Sequence, residues 1–215
     1  MQLGILFDLD GTLLDTLEDL KDAVNYALAC FGYPPRSREE VRRFVGNGAG
    51  KLMARSAPEG ADHDALLQCF SRYYNAHCTD KTAPYAGIPE ALAALRGRYP
   101  MAVVSNKPDE AVKQLCQAYF PGMHARGEGE GCPRKPAPDM LLQAMAELDV
   151  DSCIYVGDSE VDVQTARNAG VPCLSVLWGF RDLETIRAAG GNRFCPSPEA
   201  LPKMIERMAG KLYGE

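Results

Sequence analysis

Four short apolar runs, LGILFD at residues 3–8, MAVVSN at 101–106, CIYVGD at 153–158 and CLSVLW at 173–178, are separated by stretches with helical patterning. Continuous runs of this kind, rich in β-branched residues, suit strands buried on both faces, as in a parallel sheet covered by helices. Helices are predicted at 89–98, 108–118, 137–148 and 160–169, the last stopped by Gly170. Strand and helix in alternation give an α/β fold with a doubly wound, Rossmann-like parallel sheet.

Residues 16–81 break the alternation. DLKDAVNYALACFGY, SREEVRRFV, GAGKLMARSA and HDALLQCFSRYYNAHC are all helical patterns, separated by turn signals such as GYPPRS. The segment is expected to form a small inserted helical cap domain on a core made of residues 1–15 and 82–215. KTAPYAG at 81–87, with Pro84 and Gly87, reads as the return hinge. The stretch YFPGMHARGEGEGC, and residues 121–132 within it, reads as a glycine-rich, charged loop.

With 215 residues, 46% of them hydrophobic and 24% charged, the chain can bury a full core. A net charge of -6 argues against charge-driven binding to nucleic acid. No stretch approaches the about 18 apolar residues of a membrane span. The first ten residues, MQLGILFDLD, do not pattern as a signal peptide, so a cytoplasmic protein is expected, monomeric or homodimeric. The eight cysteines form no C-x-x-C pair and read as reduced, mostly buried thiols.

Ligands bind open α/β sheets outside the carboxyl ends of the strands, so the polar residues there matter most. The first run ends in Asp8 and Asp10, two apart and hence able to face one point. The second ends at Ser105 and Asn106 and the third at Asp158, with Asp162 one helical turn later; Lys135 opens another loop-to-helix junction. Gathered at one edge, so many carboxylates repel unless a cation sits among them. Oxygen ligands with few carboxylates suit Mg²⁺, which keeps room for a phosphate oxygen. Metal plus lysine then makes a site for a phosphoryl group. Asp15, the third acid of FDLDGTLLDT, is expected to cap the following helix in a capping box with Glu18.

FDLDGT, a strand-ending VVSN, RKP and VGDSEVD occur in the order of the four motifs of the haloacid dehalogenase-like hydrolase superfamily. Within it, FVGNGAGKLM, PYAGIPEALAALR and SNKP resemble the phosphoglycolate phosphatase branch. The resemblance implies that Asp8 attacks phosphorus and becomes an aspartyl-phosphate, while Asp10 serves as general acid and then base. Asp8, the main-chain carbonyl of Asp10 and Asp158 would hold Mg²⁺, with Asp162 in support. Ser105 would bond the phosphoryl oxygens, Lys135 would offset charge, and Gly11 and Thr12 would bring backbone to the phosphate. An acid at Asp10 points to phosphate esters, because dehalogenase members lack one there and phosphonate-cleaving members carry alanine.

The turn GNGAG, with Asn47 and Gly48, is a candidate for presenting backbone N–H groups to a small anion, and equally a plain glycine turn. LWGF at 177–180 is a candidate for the site's entrance, with packing the alternative for Trp178. Asn106 is a further candidate for substrate contact. Two other readings share the acids: a sugar-phosphate mutase or pyrophosphatase of the same superfamily, and a receiver-like module that accepts phosphate as a signal.

Overall fold

The computed structural model describes residues 2–129 and 131–213. Strand β1 (Leu3–Phe7) leads into the two-residue β2 (Leu14–Asp15) and then into four helices, α1 (Leu17–Cys30), α2 (Arg38–Phe44), α3 (Ala49–Ser56) and α4 (His63–His77). The short β3 (Ala83–Pro84) returns the chain to α5 (Ile88–Leu95), β4 (Met101–Pro108), α6 (Asp109–Tyr119) and β5 (His124–Glu128). There follow α7 (Asp139–Glu147), β6 (Ser152–Gly157), α8 (Glu160–Ala169), β7 (Cys173–Val176), α9 (Leu183–Ala188), β8 (Phe194–Cys195) and α10 (Leu201–Tyr213).

Six strands form one sheet in the order β5-β4-β1-β6-β7-β8, and each neighbouring pair is parallel. The four apolar runs are its centre, with β1 between β4 and β6. Side chains alternate across a strand, and β1 shows the result. Leu3, Ile5 and Phe7 join a cluster with Leu92 and Leu95 of α5, Val112 and Leu115 of α6, and Leu201 and Ile205 of α10. Leu6 joins a second cluster with Met140, Leu141 and Ala144 of α7 and Ala166 of α8. The sheet is therefore covered on both faces, as a doubly wound α/β fold requires.

The first cluster continues into the helical segment through Leu17, Val24, Leu28, Met53, Leu66 and Phe70. Both crossings to that segment pass through a single antiparallel ribbon, in which Leu14 pairs with Pro84 and Asp15 with Ala83. No described helix is long and apolar enough to cross a membrane. All eight cysteines are free thiols, but only four are buried; Cys30 is exposed.

Three expectations change. Residues 124–128 are an edge strand, paired parallel to β4 from Ala102 with His124 to Val104 with Arg126, where the sequence reads as a loop. Its charged residues hide the strand pattern: His124 and Arg126 both pair with Glu147 on α7. Gly127 belongs to the strand for a steric reason, since a Cβ there would lie 2.4 Å from Asp109 Cα. The second change concerns α1. Its N-cap is Thr16, and the Asp15 carboxylate only accepts from Leu17 N at 3.2 Å. Glu18 turns to Arg38 and Lys21, so no capping box forms. Thirdly, β4 runs two residues beyond Asn106 and takes Lys107 into the sheet edge.

Candidate active site

The carboxyl ends of β1, β4 and β6 meet at one point. Lys135, delivered by the loop before α7, is 3% exposed and has all three N–H donors engaged. Its Nζ donates to Asp8 Oδ1 at 2.7 Å, to Asp162 Oδ1 at 2.8 Å and to the Tyr155 hydroxyl at 2.8 Å. Tyr155 in turn donates to the Val104 carbonyl at 3.0 Å. Asp162 is set by the start of α8, where Ser159 is the N-cap and donates its hydroxyl to Asp162 Oδ2 at 2.6 Å. The Asp158 carboxylate accepts from Phe180 N at 2.6 Å.

Asp8, Asp158 and Asp162 each present a carboxylate oxygen within 4.8 Å of the others, and all three are buried. Lys135 pairs with two of the three, Asp8 and Asp162. Burial pushes the Asp8 carboxyl up to about 7, against the pull of Lys135 and with help from Asp162. Asp158 is held well above the usual carboxylate range by burial, then by Asp162 and Asp8. Burial works against the Lys135 ammonium, yet Asp162 and Asp8 hold it well above the ordinary lysine value. The surplus of negative charge on hard oxygen donors fits a divalent cation.

The Asp10 carboxylate stands apart from this trio. Its Oδ1 accepts from Thr16 Oγ1 at 2.6 Å and lies 3.0 Å from Lys107 Nζ. The two acids of the first motif are thus in different company: Asp8 faces Lys135 and the other acids, Asp10 faces Lys107 and the start of α1. Ser105, 2% exposed, lines the cavity beside them. That cavity, about 50 Å³, is closed on its other side by Gly48, Ala49, Leu52, Phe70 and Tyr74 of the helical segment.

Other candidates are placed differently from the sequence reading. Gly11 adopts a φ of 83°, and a Cβ on it would lie 2.4 Å from Asp158 Oδ2, so this glycine makes room for an acid. Thr12 is buried; its carbonyl accepts from the Trp178 indole at 3.0 Å, which leaves it away from the cavity wall. Asn47 also turns away, its side-chain oxygen accepting from Arg55 at 2.8 Å and its carbonyl from Arg134 at 3.2 Å. Gly48 does line the cavity, and of LWGF it is Phe180 that reaches it, while Trp178 packs on the core. Asn106 lines the cavity too, but its amide is engaged by the Lys135 main chain and by Gly46.

The sequence reading misses Lys107, Tyr155, Thr16, Tyr74 and Arg181. Lys107 stands in the quoted SNKP, and its place directly after a strand-ending Ser-Asn pair was the available signal. Arg181 joins the two parts of the site: it pairs with Glu160 at 3.0 Å and donates to the carbonyls of Arg42 and Val45 at the end of α2.

A parallel sheet with these acids, a hydroxyl and a lysine at its carboxyl edge is the site of a hydrolase, and the chain belongs to the haloacid dehalogenase-like hydrolase family, whose profile matches residues 5–176. It is 36% identical over 191 residues to phosphoglycolate phosphatase 1 of Pseudomonas aeruginosa, covering 82% of this chain and 70% of that protein. Phosphoglycolate phosphatase of Cereibacter sphaeroides is 37% identical over 188 residues, covering 83% and 86%. Among solved structures, a candidate phosphoglycolate phosphatase from Lactobacillus delbrueckii superposes with a TM-score of 0.86 at 35% identity, covering 94% of this chain and 97% of its own. CbbY from Rhodobacter sphaeroides, solved in complex with phosphate, gives 0.80 at 25% identity, covering 96% and 100%.

Proposed function

We propose that this protein is a Mg²⁺-dependent phosphatase of small phosphorylated metabolites, with phosphoglycolate as the favoured substrate, acting through an aspartyl-phosphate on Asp8. The observation that carries the reading is the buried trio Asp8, Asp158 and Asp162, with Lys135 bonded to Asp8 and Asp162. The names of the curated relatives supply the substrate.

In this reading Asp8 and Asp158, with the Asp10 main-chain carbonyl and support from Asp162, would hold the cation, which would supply positive charge to the nucleophile and the phosphoryl oxygens. A carboxyl raised to about 7 by burial is a poor nucleophile when protonated, and Lys135 at 2.7 Å favours its ionised form. An Asp8 oxygen forms a bond to phosphorus as the ester P–O bond breaks, and the Asp10 carboxyl gives its proton to the departing oxygen. Asp10, now a carboxylate, takes a proton from water as that water attacks phosphorus and the bond to Asp8 breaks. Ser105 donates to the phosphoryl oxygens, and residues 16–81 act as a cap domain that limits water during transfer.

Purified protein supplied with Mg²⁺ is expected to release phosphate from 2-phosphoglycolate over many turnovers, and Asp8→Asn to lower the rate by several orders of magnitude. Absence of turnover on any phosphate monoester would refute the reading, and labelling that stops at one phosphate per chain would favour the receiver-like alternative.

A further inference from the structure

We propose that Lys107 and Tyr74 form a second subsite in the same cavity, one that receives a carboxylate carried by the substrate a few bonds from its phosphate. This rests on the phosphatase reading and gives that site its substrate class: short phosphorylated carboxylic acids.

Among the described residues three cations line the cavity, and with Arg181 engaged by Glu160 and the carbonyls of Arg42 and Val45, two cationic poles face its interior. Lys135 stands against Asp8 at 2.7 Å and is saturated by its three acceptors. Lys107 stands on the other side of the acid pair, 3.0 Å from Asp10 Oδ1, with its side chain 3% exposed. An ammonium has three donors, and Asp10 takes up one of them. A phosphoryl group at the Lys135 pole therefore places the rest of a short substrate toward Lys107, with Asp10 beside the bridging oxygen.

Tyr74 completes the second pole from the opposite wall. The Lys107 ammonium lies 4.5 Å from the centre of its ring and interacts with its hydroxyl, and that buried hydroxyl donates to no acceptor among the described residues. A buried hydroxyl without an acceptor is uncommon in a folded protein and calls for a missing one. A carboxylate is such an acceptor: one oxygen takes the ammonium, the other the hydroxyl. The neighbouring walls, Leu20, Leu52 and Phe70, are apolar.

The test compares 2-phosphoglycolate with ethyl phosphate, an ester of the same chain length without the carboxylate. Lys107→Met is expected to lower kcat/KM for phosphoglycolate by about 100-fold beyond any effect on ethyl phosphate, and Tyr74→Phe, which keeps the ring, by about 10-fold. Losses equal on the two esters would overturn the subsite and leave the phosphatase reading intact. A second arm measures phosphoglycolate binding to the Asp8→Asn protein by calorimetry, with and without Lys107→Met. Affinity lowered about 10-fold or more supports the subsite even if the native protein hydrolyses neither ester, whereas unchanged affinity refutes it.

Discussion

Asn106 and Lys135 are joined reciprocally: Asn106 Oδ1 accepts from Lys135 N at 2.8 Å, and Asn106 Nδ2 donates to Lys135 O at 2.9 Å. One side chain at the end of β4 thereby fixes both faces of the peptide that carries the lysine. Asn106→Ala leaves two buried backbone groups unpaired, which costs about 1–3 kcal/mol. It also frees Lys135 to drift from Asp8. The expected outcome is a kcat lowered about 10- to 100-fold with a lower Tm, because misplacement of a charged group by a fraction of an ångström is expensive in catalysis. Steady-state kinetics and a thermal melt check both parts, and an unchanged kcat would separate Asn106 from the chemistry.

The raised carboxyls of Asp8 and Asp158 set the pH dependence of the metal-free protein. In the unfolded chain an aspartate titrates near 3.8, while folded Asp8 holds its proton up to about 7. Between those values unfolding releases protons, so stability is greatest at the acid side and falls as pH rises through the window. Thermal melts in a chelator are expected to show Tm decreasing from about pH 5 to 7.5. Added Mg²⁺ should remove most of that slope by binding the ionised trio in the folded state. A flat profile in the chelator would show that the acids are not in competition there.

Arg181 is expected to matter for productive closure of the site, because it holds the last carbonyls of α2 against α8 through Glu160. Arg181→Met keeps the stem and removes the donors. A fall in kcat/KM of about 3- to 30-fold is expected, from two charge-assisted hydrogen bonds to backbone. The matching structural readout is faster amide exchange at the end of α2, with the sheet unaffected.

The edge strand β5 yields a stability prediction. Gly127→Ala would drive a methyl to within 2.4 Å of the Asp109 backbone, which cannot yield as a flexible side chain would. A loss of about 1–3 kcal/mol is expected from such overpacking, which corresponds to roughly 2–4 °C in Tm per kcal/mol for a chain of this size. Gly129→Ala, with nothing within 4 Å, is the control and should be near neutral.

What the sequence made legible follows physical lines. Strands β1, β4, β6 and β7 are buried on both faces and so are written as apolar runs, whereas β5 carries His124, Arg126 and Glu128 at the sheet's edge and reads as a loop. Asp8, Asp10, Ser105, Lys135, Asp158 and Asp162 could be placed because strand ends are where chemistry concentrates, and the structure brings them to one edge of the sheet. Lys107 and Tyr74 were hidden for opposite reasons. Lys107 follows the polar end of a strand and looks solvated, although β4 continues through it. Tyr74 lies on a helix face with Leu66 and Phe70 and looks like ordinary core.

The β2 and β3 ribbon carries a further consequence. The segment between them leaves and rejoins the sheet across one pair of hydrogen-bonded strands, so its two ends are about 5 Å apart. Such a junction can accept helical segments of different length and composition without altering the order or register of the sheet. Exchange of that segment would leave Asp8, Ser105 and Asp158 at their places along β1, β4 and β6.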